Sequence, residues 1–116
     1  MAGTTQEVLD HHLTAFGGGD LEAILEDFDE NSVIVTTDGI HRTRDEMSSF
    51  FSTLFAEFGK PGMSFSMNHV AVEGETALIA WNAETADNVY ELGTDTLIVR
   101  GGKIAVQTFV THSTAK

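Results

Sequence analysis

The sequence predicts an α+β domain in which a curved antiparallel sheet wraps around helices, and three observations carry that prediction. Helical periodicities are confined to the first half of the chain. From Met63 onward the apolar period changes to two, and the period-two segments follow one another with only short breakers between them. Segregated helices followed by consecutive strands argue α+β, whereas a parallel sheet would need helices between its strands. At 116 residues the chain has the size of one domain, spanning 1–116.

Each element has its own signature. Thr4 and Glu7 are spaced as a capping box, and Val8, Leu9, His12, Leu13 and Phe16 then recur at helical spacing until Gly17-Gly18-Gly19 ends the first helix. Asp20 is a good N-cap for a second, shorter helix with Leu21, Ile24, Leu25 and Phe28 as its apolar stripe, and its acids, Asp27 among them, are expected on the solvated side. Ser32 to Thr37 is β-branched enough for a strand, which Asp38-Gly39 turns. A second capping box, Thr43 to Glu46, opens a third helix with Met47, Phe50, Phe51, Leu54, Phe55 and Phe58 on one stripe, closed by Gly59-Lys60-Pro61-Gly62. Met63, Phe65 and Met67 share one strand face while Val70 and Val72 share the other, so a β-bulge is expected near Asn68-His69. Further strands are expected over Thr76 to Ala86, Val89 to Arg100 and Lys103 to His112. The expected order is helix, helix, strand, helix and four strands.

Composition narrows the function. Asp and Glu number 18 against 6 Lys and Arg, a net charge of −12, and no basic residue precedes Arg42, so neither nucleic acid nor an anionic membrane surface is an expected partner. Without cysteine there is no thiolate nucleophile, disulfide or zinc ribbon. The first twenty residues lack the pattern of a signal peptide and no apolar run reaches the length of a spanning helix, so a cytoplasmic location is expected. The last strand offers apolar residues on both faces, Ile104, Val106 and Val110 on one, Ala105 and Phe109 on the other. The helices cover one face, and a second copy of the chain, in a homodimer through the outer sheet face, is expected to cover the other.

The run His12-Leu-Thr-Ala-Phe-Gly-Gly-Gly-Asp20-Leu-Glu, followed by Ile24-Leu-Glu-Asp-Phe28-Asp-Glu-Asn-Ser-Val-Ile-Val35, resembles the opening of the nuclear transport factor 2-like superfamily, in its SnoaL-like and ketosteroid isomerase-like branch. Arg100-Gly-Gly-Lys103-Ile is similar to the hairpin before that superfamily's last strand, and the resemblance covers nearly the whole chain. It implies a cystatin-like, cone-shaped sheet closed by three helices around a mostly apolar pocket, no cofactor, and an activity anywhere from isomerase to cyclase to hydrolase, or none. Counted from these motifs, His12 falls where ketosteroid isomerases place a hydrogen-bond-donating tyrosine, and Asp95 where they hold a protonated aspartic acid. Thr36 stands near the position of their proton-abstracting aspartate; Asp38, two residues on, falls at the rim.

Asp95 also stands out unaided, because alternation puts it on the strand face of Val89, Leu97 and Val99. A carboxylate facing an apolar interior either takes a proton or finds a donor. His12 lies on the apolar stripe of the first helix, where it is a partner for Asp95 in acid–base catalysis or a hydrogen-bonded core residue. Phe50 and Phe51 match pocket-lining positions of the resembling isomerases as well as core positions. Of Trp81 and Asn82 only one can face inward, and the count from Asp95 favours Asn82; Gln107, Phe109 and Thr111 share an inward face of the last strand. None of His41, His69 and His112 has metal-ligand spacing with another His or a carboxylate, so no metal site is expected. The expected function is cofactor-independent acid–base chemistry on a small hydrophobic carbonyl-like substrate, with Asp95 and His12 catalytic and Thr36, Phe50, Phe51, Asn82, Gln107, Phe109 and Thr111 lining the site; the alternatives are non-catalytic binding of a small hydrophobic molecule and a structural dimerisation domain with a filled core.

Overall fold

A computed structural model describes residues 3–116, and its elements run α1 (Thr5–Gly17), α2 (Leu21–Leu25), β1 (Val33–Thr36), β2 (Gly39–His41), α3 (Arg44–Phe58), β3 (Ser64–Glu73), β4 (Thr76–Glu84), β5 (Asn88–Arg100) and β6 (Lys103–Ala115). The caps work as their residues require. The Thr4 and Thr43 hydroxyls each accept from the backbone N–H three residues on, while Glu7 and Glu46 reach back, and the Asp20 side chain caps α2. The element the sequence did not suggest is β2. The Thr36 hydroxyl accepts from the Asp38 and Gly39 amides and donates to the Gly39 carbonyl, a tight turn that lays Gly39–His41 back along β1, so His41 is a strand residue and not part of a loop.

The six strands form one curved sheet in the order β2-β1-β6-β5-β4-β3, an α+β, cone-like arrangement closed by the three helices. All neighbours are antiparallel except β1 and β6, which run parallel. The expected bulge is present between Met67 and His69; further register shifts lie at Trp81/Ala83, Tyr90/Leu92 and Ile98/Val99. They amount to three inserted residues, Asn68 on β3, one near Glu91 on β5 that shifts register against both β4 and β6, and Ala105 on β6; each bends its strand and raises the local twist, which is how thirteen-residue strands such as β5 and β6 curl around the helices. Two expectations about strand faces are corrected by these bulges. Tyr90 is buried with Gly93 and Asp95, so Val89 does not share their face, and Ile104 is fully buried beside Gln107 because Ala105 is the extra residue.

The core lies between the helices and the concave face of the sheet. Leu9 of α1, Ile24 of α2 and Phe51 of α3 meet Ile34, Leu97 and Ile104 of the strands, each essentially inaccessible to water. The convex face carries Val33 and Val35 of β1, Leu78 and Ala80 of β4, Thr94, Thr96 and Ile98 of β5 and Val106, Thr108 and Val110 of β6 at its middle, with Glu73, Glu84 and Arg100 on the same side toward the strand ends. Among the described residues no helix is long and apolar enough to cross a membrane.

Candidate functional site

Alternation along β5 and β6 and the register between them place Asp95 and Gln107 on the concave face, two residues apart along the ladder. Register also decides the face of Trp81. Asp95 pairs with Ile79, paired residues share a face, and Trp81 lies two residues beyond Ile79. Trp81 is therefore inside, 4% exposed, and Asn82 is outside, where its side-chain oxygen accepts from Asn68. The expectation that Asn82 lines the site is thus overturned. The indole fits because Gly93, opposite Trp81, has no side chain: a Cβ there would overlap the six-membered ring of the indole.

These residues build one polar floor in an apolar chamber. Trp81 Nε1 donates to Asp95 Oδ1 at 2.9 Å, and Gln107 Nε2 donates to Asp95 Oδ2 at 2.9 Å. Burial drives the Asp95 pKa above its ordinary value; the Trp81 hydrogen bond, the attraction of His12 and the Gln107 hydrogen bond pull the other way without offsetting it. Gln107 Oε1 is buried with no partner. No Lys or Arg touches the carboxyl, so Asp95 is an acid held by neutral donors, the condition in which a carboxyl exchanges a proton far from its usual range.

His12, 4% exposed, lines the same chamber from α1, with Phe28 and Phe51 edge-on to its ring at 6.1 and 6.0 Å. It makes no hydrogen bond to Asp95. Its Nδ1 instead faces Asp27 Oδ2 at 3.5 Å, while the other Asp27 oxygen is hydrogen-bonded to His11 Nδ1 at 2.7 Å. Asp27 is 6% exposed, so the acid expected on the solvated side of α2 is inside, correcting that expectation. The reason is local. α2 ends at Leu25, and the chain leaving it turns Asp27 back toward α1, where the Asp27 carbonyl accepts from Ile104 N at 2.7 Å.

The chamber is narrow. About 40 Å³ is open within it, room for three or four waters at roughly 10–15 Å³ each. Leu13, Phe16, Phe58 and Phe65 also line an apolar groove of about 330 Å³ between the Gly17-Gly18-Gly19 turn, the end of α3 and Met63 and Met67. Phe51, Gln107 and Phe109 line the chamber as the sequence suggested. Thr36, Phe50 and Thr111 do not reach it. They line a separate depression of about 370 Å³ with Asp38 and His41, because the Phe50 ring packs against Phe51 and Phe109 and closes that side. Among the described residues no group of three or more His, Asp or Glu side chains is placed to hold a metal ion.

Two site residues escaped the sequence reading, Trp81 and Asp27. For Trp81 a signal was there, since Thr76, Asn82 and Glu84 share one parity on β4 and are its polar side. For Asp27 there was none, because six acids crowd residues 20–30 and nothing local separates the buried one.

A model of the SnoaL-like domain matches residues 9–107. Solved structures share the fold at low identity. A nuclear transport factor 2-like protein from Burkholderia thailandensis is 18% identical with a TM-score of 0.76, over 94% of this chain and 91% of that one. A candidate ketosteroid isomerase from Kribbella flavida is 16% identical with a TM-score of 0.75, over 97% and 80%. A candidate polyketide cyclase from Sinorhizobium meliloti is 15% identical with a TM-score of 0.73, over 89% and 93%. No curated protein matches the sequence.

Proposed function

The chain belongs to the SnoaL-like domain family, and we propose that it admits a small apolar molecule through the groove beside α3 and exchanges a proton with its polar end at Asp95 and His12, as a cofactor-independent enzyme. The observation that carries this is the Asp95 carboxyl: buried, raised in pKa, without a cation, and adjoining an acceptor, Gln107 Oε1, that no protein group satisfies. A buried acid kept only for structure has no need of an unpaired neighbour, whereas a bound molecule carrying a donor would satisfy it. The chamber floor takes only a head group. The apolar body lies in the groove, which by its size and lining suits a small hydrophobic ligand. A carbonyl-like substrate is supported by the chemistry of an acid and an imidazole facing one small space, and by two structural relatives whose names carry keto compounds.

The same small volume favours a second reading, binding without turnover. The test separates them. Trp81 is the only tryptophan and lines the chamber, so its fluorescence reports binding of a panel of apolar ketones, while deuterium exchange at their α-carbons, followed by proton NMR, reports chemistry. Exchange that Asp95→Asn abolishes while binding persists supports the enzyme. Binding with no exchange supports the second reading, and neither binding nor exchange overturns both.

We infer also that the convex face pairs with a second copy. On a chain of net charge −12 the middle of the convex face, built of Val, Ile, Leu, Ala and Thr with Glu73, Glu84 and Arg100 toward its ends, is where two copies meet with least repulsion. The acidic, cysteine-free composition accords with a cytoplasmic protein that engages neither nucleic acid nor membrane.

A further inference from the structure

Phe28 and Phe51 pack against the buried His12 ring in T-shaped contacts, so few polar partners can reach it. One edge carries Nδ1, which has no hydrogen-bond partner at its present distance and meets one group, Asp27 Oδ2, itself buried and unpartnered. Two orphaned atoms of complementary character 3.5 Å apart need only a small rotation to satisfy each other. Asp27 is held for that contact from two sides: His11, 45% exposed, grips its other oxygen, and its carbonyl is tied to Ile104. The charged or titratable groups around this pair are His11 and Glu7 on α1, Glu26 beside His11 at 3.9 Å, Lys103 at the start of β6, and Asp95 across the chamber on β5.

We propose that Asp27 is a positioning residue that fixes His12 as the Nδ1–H tautomer, so that neutral His12 turns the lone pair of Nε2 into the chamber and acts there as the base. A carboxylate accepts and never donates when ionised, so it selects the tautomer whose proton it can receive, and the far nitrogen becomes an acceptor. The division of labour at the site then follows, and it rests on the catalytic reading above. His12 Nε2 takes the proton from the substrate carbon beside the carbonyl, and the electron pair of that C–H bond becomes the enol double bond. The carboxyl proton of Asp95 passes to the carbonyl oxygen, leaving imidazolium and carboxylate facing one another. Asp95 suits the acid role because burial favours its protonated form.

The tautomer is read without any substrate. Protein labelled with 15N in its histidine rings is observed by long-range nitrogen–proton NMR at a pH where His12 is neutral, as wild type and as Asp27→Asn. The wild type should show the proton on Nδ1. Asp27→Asn should move it to Nε2, since an amide offers the ring a donor in place of a second acceptor; in Ser–His–Asp sites the same replacement yields the wrong tautomer. Wild-type His12 protonated on Nε2 overturns the proposal, as does an Asp27→Asn spectrum with the tautomer unmoved. If Asp27→Asn does not fold, the wild-type spectrum alone decides. Absence of turnover would sink the catalytic reading and leave the tautomer result standing, so the two failures are distinct.

Discussion

Replacing Gly93 by alanine attacks the site through its floor. The Cβ that Gly93→Ala introduces would occupy the space of Trp81 atoms Cε2, Cζ2 and Cη2, so the indole must move. Gly93 does not sit in the left-handed region, so the cost is steric and not conformational. Forcing a buried ring off its seat in a packed core costs about 1–3 kcal/mol. The displaced indole also loses its hydrogen bond to Asp95, leaving a buried carboxyl short of a donor at a cost of about 1–3 kcal/mol. The sum, roughly 2–6 kcal/mol, is a large part of the total for a domain whose stability should be on the order of 6–17 kcal/mol. Trp81→Phe removes the hydrogen bond and shrinks the ring, so in its background Gly93→Ala should cost less, with a coupling of at least about 1 kcal/mol. Urea unfolding followed by circular dichroism on the wild type, both single variants and the double variant measures this cycle. A Gly93→Ala protein within about 0.5 kcal/mol of wild type, or additive effects in the cycle, would refute the account of how Trp81 is seated.

Three further outcomes follow from other contacts. Because Asp95 holds its proton more tightly folded than unfolded, the stability it contributes is present below the ordinary carboxyl value of 3.8 and is lost as pH rises through its raised folded value. Asp95→Asn escapes that loss, so its urea midpoint should gain on the wild type as pH rises above the ordinary carboxyl value of 3.8; a difference that stays flat or narrows contradicts the raised pKa. Burial works to raise the Glu57 carboxyl, but hydrogen bonds from Asn88, Thr85 and Tyr90 outweigh it and lower its pKa, so its contribution is present above the ordinary 4.5 and lost as pH falls through the lowered value. Glu57→Gln, which keeps an acceptor but loses the charge, should cost about 1–3 kcal/mol near neutral pH and little in acid, read from denaturation midpoints. Val110, 44% exposed on the convex face, becomes a charge in Val110→Glu; light scattering should then find a monomer where the wild type is a dimer, and a monomeric wild type at micromolar concentration removes the dimer.

Most of the fold was legible in the chain because its boundaries are written in local chemistry. The Thr4, Asp20 and Thr43 caps, the glycines after Phe16 and Phe58 and the slip at Asn68-His69 all act within a turn of where they stand. Asp95, Gln107, Phe51 and Phe109 were legible for the same reason, since alternation and helical spacing are local rules. What failed required contacts between strands. β2 is three residues long and exists only because β1 offers it an edge, and Val89 and Ile104 changed faces at bulges whose position the pairing sets.

Trp81 and Asp27 show why a site is harder to read than its scaffold. Asp95 alone would be a buried acid of ordinary kind, and the sequence could name it. Its environment depends on an indole from the next strand, seated over a glycine whose use is apparent only when β4 lies on β5, and on an amide from β6. His12 likewise was visible on its stripe, but its carboxylate partner comes from the loop after α2, fifteen residues away, selected from a crowd of acids by the fold alone. Each group that can move a proton is local in origin, and each group that tunes it arrives from another element. The chemistry of the chamber is therefore set by tertiary contacts, and substitutions at Gly93 and Asp27, neither of which needs to touch a ligand, reach it as directly as substitutions at Asp95 and His12.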